Sequence, residues 1–388
     1  MNEPLLGSFQ TINLNNKEVD NRNYPRFLFL IGLFYILPSL QFVFFQSKDN
    51  NLECYYNYKC YNTVGFIPAF NSVISNILYV ILGIIFILIV RFNSKFYDTS
   101  INQLNLIKSP SLYYSLGISL IFEGICSATY HICPTKLNFQ FDTTFMYIGG
   151  ILMFITIYSK RHMEPDPMKI YCFLGFLIFI NILPLSGLTT DFEQYFWGGI
   201  FIFVAYVMVS VSIYIYYDKE FNLDLQTIKH LYHNFKNFDK KHTPKLILIT
   251  ILNLFTLGTY LWAVITQANF TDWVLGLIIV NMIIYFIYYV IQKIRYKEPI
   301  SLLIAFWLLI DIIVIGLSLV FYLMTSTNIF LTPEESKEMN KPCIIFNYFD
   351  YHDVWHILSA LGLFIFMNIV FFLDNKTSDM IYIHEHKF

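Results

Sequence analysis

SLYYSLGISLIFEGICSATYH (residues 111–131) and QFDTTFMYIGGILMFITIYS (residues 140–159) decide the fold. Each is close to the roughly twenty residues that an α-helix needs to cross a hydrocarbon layer about 30 Å thick. Each is largely apolar and carries one charged residue, Glu123 in the first and Asp142 near the start of the second. Lipid offers no partner for an unpaired backbone N–H or C=O, so such runs cross as helices. Runs of the same kind occupy 26–46, 70–91, 168–185, 195–217, 245–265, 272–292, 300–325 and 352–373. The expected fold is therefore all-α and polytopic, with about ten transmembrane helices over 26–373 and short tails at 1–25 and 374–388.

Composition agrees. Of the 388 residues, 56% are hydrophobic and 13% charged, whereas a soluble domain is about a quarter charged. Surface facing lipid needs no charge, and the 40 Phe and 29 Tyr suit lipid-facing faces and interfacial belts. The same abundance means that no single aromatic marks a base-stacking or cofactor site. A net charge of −2 gives no global basicity for binding nucleic acid. The polar N-terminal tail does not read as a cleaved leader, although Glu3-Pro4-Leu5-Leu6 is similar to an acidic dileucine sorting signal.

Orientation follows from Lys and Arg, which concentrate on the cytosolic side of short loops. With a cytosolic N-terminus and alternating spans, the cytosolic segments hold all but Lys48, Lys59, Lys136, Lys337 and Lys341 of the 25 Lys and Arg. Both termini are then cytosolic. Cys54, Cys60, Cys133 and Cys343 fall on the outer side, where disulfides form, and their pairing stays open, as does the alternative of free thiols. Asn269-Phe270-Thr271 is an outer-side glycosylation sequon close to the membrane, and Asn375-Lys376-Thr377 is cytosolic.

Ionisable groups inside spans are costly and tend to be functional. Glu123, Ser127 and His131 recur every four residues and share one helix stripe. Asp142 opens the next span, and His352 and His356 lie one turn apart at the start of the last. Alternation brings all of these to the outer leaflet, and the other six histidines fall in cytosolic segments. Three neutral imidazoles with an open fourth position suit catalytic zinc. His131, His352 and His356 are the expected Zn2+ ligands, with Asp142 to orient or deprotonate water and Ser127 to hydrogen-bond beside it. Glu123, deeper by two turns, suits a supporting hydrogen bond. Asp353 faces away from the histidine stripe and reads as interfacial. Asp311 reads as a polar-pathway group or a satisfied buried carboxyl, and His230 and His233 as part of a solvated amphipathic helix.

Several segments resemble the SID (systemic RNA interference defective) transmembrane family. They are Cys54-Tyr55-Tyr56-Asn57-Tyr58-Lys59-Cys60, Ala69 to Asn76, Glu123 to His131 with Cys133-Pro134, Asn138-Phe139-Gln140-Phe141-Asp142-Thr143-Thr144-Phe145-Met146-Tyr147, and His352 to Ala360. Between about 165 and 340 only hydropathy and order match. The family is similar to the wider CREST group of membrane hydrolases, with alkaline ceramidases and progestin/adiponectin-type receptors. The group's Ser-x3-His, Asp and late His-x3-His fall on Ser127, His131, Asp142, His352 and His356. The resemblance implies transport of double-stranded RNA or cholesterol in a plasma or endolysosomal membrane. It also implies a zinc site that hydrolyses a lipid amide or ester, membrane lipids as partners, and room for a homo-oligomer. Familiar members carry a large β-rich extracellular region and an extra first span, neither of which is in this sequence. With five Lys and Arg against about ten acidic residues on the outer side, RNA capture is expected to need a partner subunit. A zinc-dependent ceramidase- or phospholipase-like hydrolase without RNA transport is the alternative.

Overall fold

The computed structural model describes residues 23–46, 53–65, 67–100, 110–162, 164–187, 193–217 and 243–374. Residues 1–22 with the dileucine-like segment, residues 375–388 with the cytosolic sequon, and His230 and His233 lie outside the described residues. Twelve helices follow in order: α1 (Asn23–Gln46), α2 (Phe70–Ile74), α3 (Ile77–Ser100), α4 (Pro110–Tyr130), α5 (Phe139–Ser159), α6 (Pro167–Leu185), α7 (Glu193–Tyr217), α8 (Thr243–Thr266), α9 (Phe270–Arg295), α10 (Leu302–Leu323), α11 (Pro333–Glu338) and α12 (Tyr351–Phe372). The expected run 70–91 is divided into α2 and α3 by a break at Ser75 and Asn76, α11 lies outside every expected run, and the other nine helices fall on the remaining nine. Nine stretches among the described residues are long and apolar enough to span a bilayer. The only β pairing described is two isolated bridges, Val64 with Ile67 and Ile345 with Phe349.

Burial separates the centre from the rim. The apolar windows of α4 and α5 are 72% buried and that of α12 is 61%, against 17% for α10. The three most enclosed helices are the ones that carry the site residues. Absent side chains allow the closest approaches, as membrane helix pairs require. A Cβ on Gly83 would lie 2.8 Å from the Gly117 carbonyl, and one on Gly124 2.8 Å from the Asn76 carbonyl. The second contact seats the start of α3 against the outer half of α4.

The two ends of the bundle are fastened differently. At the outer end, Cys54 pairs with Cys133 and Cys60 with Cys343, which resolves the open pairing. The outer sequon residue Asn269 caps α9, accepting from Thr271 N and donating to Asp272.

At the cytosolic end a buried ion cluster joins α5, α9 and α12. Lys160 Nζ lies 3.0 Å from Asp374, Lys293 Nζ lies 2.7 Å from Asp374 and 2.9 Å from Glu298, and Arg161 bonds to Glu298. Burial alone would raise the Asp374 pKa, but Lys160, Lys293 and Arg161 overcome it and hold the carboxyl well below its usual range. Burial lowers Lys160, and Asp374 with Tyr113 more than offsets it, so its ammonium is held above the usual range. The Asp374 contribution is therefore complete above the ordinary value of 3.8 and is lost as pH falls through the depressed folded value. The Lys160 contribution is complete below 10.5 and is lost as pH rises through the raised folded value.

Asp374→Asn should cost about 3–5 kcal/mol by stranding buried cations, read as a lower Tm of the purified protein. The loss should be nearly constant from mildly acidic to mildly alkaline pH, and an unchanged Tm would contradict the cluster's role.

Candidate metal centre

The first turn of α12 is built around a capping carboxylate. Asp350 accepts from Asp353 N at 2.9 Å, and Asp353 returns the bond to Asp350 N at 3.0 Å, a reciprocal capping box. Both are buried, so further donors are needed to offset desolvation. Asn57 Nδ2 and Ser326 Oγ each donate to Asp350 Oδ2 at 2.8 Å, and Asn71 Nδ2 donates to Asp353 at 2.8 Å. Asp353 is therefore not an interfacial group: it is fully buried and ties α12 to α2.

His352 projects from this fixed turn and His356 from the one that follows it. His131 follows directly on α4, its N–H still bonded to the Ser127 carbonyl at 3.0 Å. The next turn is held by Cys54–Cys133 and by Asn138 Nδ2 donating to the Cys133 carbonyl. The three imidazoles converge, with ring centroids 5.1 Å apart for His131 and His352, 4.9 Å for His131 and His356, and 4.5 Å for His352 and His356. One ligating nitrogen from each lies within 4.8 Å of the others. The Nε2 atoms of all three are buried without a hydrogen-bond partner. Each such atom costs roughly 1–3 kcal/mol, and one shared cation would satisfy all three. The donor set therefore fits a metal of zinc's type.

Asp142 and Ser127 stand beside the histidines, whereas neither carboxyl oxygen of Glu123 has a hydrogen-bond partner among the described residues, so its expected supporting bond is not made. Asp142 Oδ1 lies 4.0 Å from His131 Nε2 and accepts a hydrogen bond from Ser127 Oγ. The Ser127 hydroxyl thus orients Asp142. Glu123 is buried on the stripe below, and Asp311 lies on the buried stripe of α10 with Ile304 and Ser318.

One partner had no signal in the spacing. Ser75, at the end of α2, lies 2.8 Å from His356 Nδ1. Its only proton is directed at the Ser72 carbonyl, also at 2.8 Å, so towards the ring Ser75 can only accept. That makes Nδ1 the protonated nitrogen of a neutral His356 and leaves the buried, unpartnered Nε2 with its lone pair free for a metal. The Ala69-to-Asn76 stretch drew notice by resemblance, without a role for Ser75.

The fold and these residues define a polytopic helical membrane protein with a buried three-histidine centre near its outer end. The chain belongs to the family described as the dsRNA-gated channel SID-1, which it matches over residues 7–387. It is 29% identical over 364 residues to SID1 transmembrane family member 1 of Homo sapiens, a match covering 89% of this chain and 44% of that protein. It is 30% identical over 367 residues to the Mus musculus counterpart, with the same coverage. It is 28% identical over 375 residues to Cholesterol uptake protein 1 of Caenorhabditis elegans, covering 91% of this chain and 49% of that protein. The chain thus spans about half the length of these curated relatives.

Ser75→Ala should weaken zinc affinity by about 10- to 100-fold, the usual effect of removing a ligand's outer partner, without unfolding the protein. Competition with a chelator of known affinity measures it, and an unchanged affinity would contradict the assigned tautomer.

Proposed function

We propose that this chain takes part in moving double-stranded RNA or sterol across a membrane, and that His131, His352 and His356 hold a zinc ion in a hydrolase-like centre. Family membership supports the transport role. The observation that carries the centre is that one ligating nitrogen from each histidine lies within 4.8 Å of the others, while the Nε2 atoms of all three are buried and unpartnered.

A zinc ion held there would act as a Lewis acid and lower the pKa of bound water towards 7. The protein's own contribution is positional. Asp142, fixed by Ser127, stands beside the centre as proton acceptor in the attack on a lipid amide or ester and as donor to the leaving group. Ser75 holds the His356 ring, and the Asp350–Asp353 cap holds the turn bearing His352, one turn before His356. The lipid is drawn from the membrane itself, so substrate supply needs no soluble carrier.

A second reading, lipid hydrolysis without RNA transport, is favoured by outer-face charge. Glu334, Glu335 and Glu338 are exposed on or next to the outer loop helix α11, and acidic groups repel the phosphates that dominate RNA affinity. Under the first reading, a partner subunit supplies the basic surface.

Purified protein should contain about one zinc per chain, lost in the His352→Ala, His356→Ala double variant. Asp142→Asn should keep the metal and lower turnover of a membrane lipid extract by about 10²- to 10⁴-fold. Metal-free wild-type protein would end the zinc reading. Deleting the protein should reduce cellular uptake of labelled double-stranded RNA. Unchanged uptake alongside intact lipid turnover would leave the second reading.

A further inference from the structure

The outer loop between α11 and α12 ends in a small hairpin with an unusual tip. Ile345 pairs with Phe349, and Tyr348 N donates to the Ile345 carbonyl at 2.9 Å. The two residues between them, Phe346 and Asn347, have φ of +55° and +53°. Asparagine tolerates that region, but a bulky side chain such as phenylalanine is disfavoured there. Phe346 is nevertheless 91% exposed, so no contact within the described residues compensates for its conformation or for its apolar ring.

The conformation is held from outside the turn. Cys60–Cys343 closes its base, Ile344 N donates to the Phe349 carbonyl at 2.8 Å, and Asn62 Nδ2 donates to the Tyr348 carbonyl at 3.1 Å. A backbone fixed this firmly in an unfavourable region points to a use for the side chain it displays.

Four observations identify what meets the tip. Residues 342–349 and 60–90 contain no Asp, Glu, Lys or Arg. Beside the hairpin, the Val64–Ile67 turn exposes Val64 and leads through α2 into α3, whose outer half presents Ile77, Ile81 and Ile84. The apolar edge is therefore joined, by a short uncharged segment, to a helix face that meets lipid. Phe346 also lies only four residues before Asp350, the cap of α12, so the tip stays within about 14 Å of that helix's start. Lys341 lies next to the same helix start, 5.2 Å from the Tyr351 ring. Aromatic rings with basic neighbours are the usual residues of the headgroup layer.

We propose that the Ile344–Phe346 tip is an interfacial anchor, seated at the boundary between headgroups and acyl chains of the outer leaflet. It fixes the depth of the outer loop, and with it the height of the α12 cap above the bilayer.

The test uses the full chain in phosphatidylcholine vesicles, with Cys172→Ser removing the exposed free thiol. A nitroxide is attached at Phe346→Cys or, separately, at Asn347→Cys, so that one misfolded variant does not end the test. Power saturation should show oxygen accessibility exceeding nickel-chelate accessibility several-fold, as at an Ile84→Cys control and opposite to a Glu334→Cys control. Labels open to nickel chelate like the Glu334 control would overturn the proposal. Labels shielded from both reagents would also overturn it, since they would report a protein contact, whether a second copy or another subunit.

Discussion

Asp350 reaches its place only when four distant stretches of chain meet. Its carboxylate accepts from the backbone of Asp353, from Asn57 in the first outer loop and from Ser326 beyond α10, while Asp353 in turn accepts from Asn71 of α2. A buried carboxylate without these donors would be costly, so the outer end forms as a unit or not at all. The two disulfides tie the same segments, joining residue 54 to 133 and 60 to 343. His352 and His356 depend on this assembly for their aim, because they stand on the first two turns of the helix that Asp350 caps. His131 depends on it through the Cys54–Cys133 link two residues further along.

The cytosolic end uses charge where the outer end uses covalent and neutral polar ties. Lys160, Arg161 and Lys293 meet Glu298 and Asp374 in a cluster that joins α5, α9 and α12. The helices that carry His352, His356 and Asp142 are thereby fixed at both ends. A metal centre gains from such rigidity, since ligand geometry must be held within a fraction of an ångström. The peripheral helices, α10 most plainly, give most of their surface to lipid.

The fold was legible in the sequence because a bilayer imposes a length and a hydropathy on every span, and ten runs met both. The histidines were legible for a related reason: four-residue spacing fixes a helix face, and alternating topology fixes a leaflet. Ser75 was not legible, because a lone serine inside the expected run 70–91 has no periodicity to mark it, and its role arises only from a contact with α12 at a separation of 281 residues. Asp353 was misplaced for an instructive reason. Position on a helical wheel shows which residues share the histidine stripe, but not that the opposite face of the first turn is covered by Asn71. The disulfide pairing and the cytosolic cluster likewise depend on contacts across long sequence separations, which one sequence does not encode as a local pattern.

His131, His352 and His356 form a candidate metal centre in the outer part of the bundle. X-ray absorption at the zinc edge of the purified chain tests it most directly. The expected first shell is three imidazole nitrogens at about 2.0–2.1 Å with an oxygen completing the site. A shell containing sulfur, or the absence of zinc from folded protein, would contradict it.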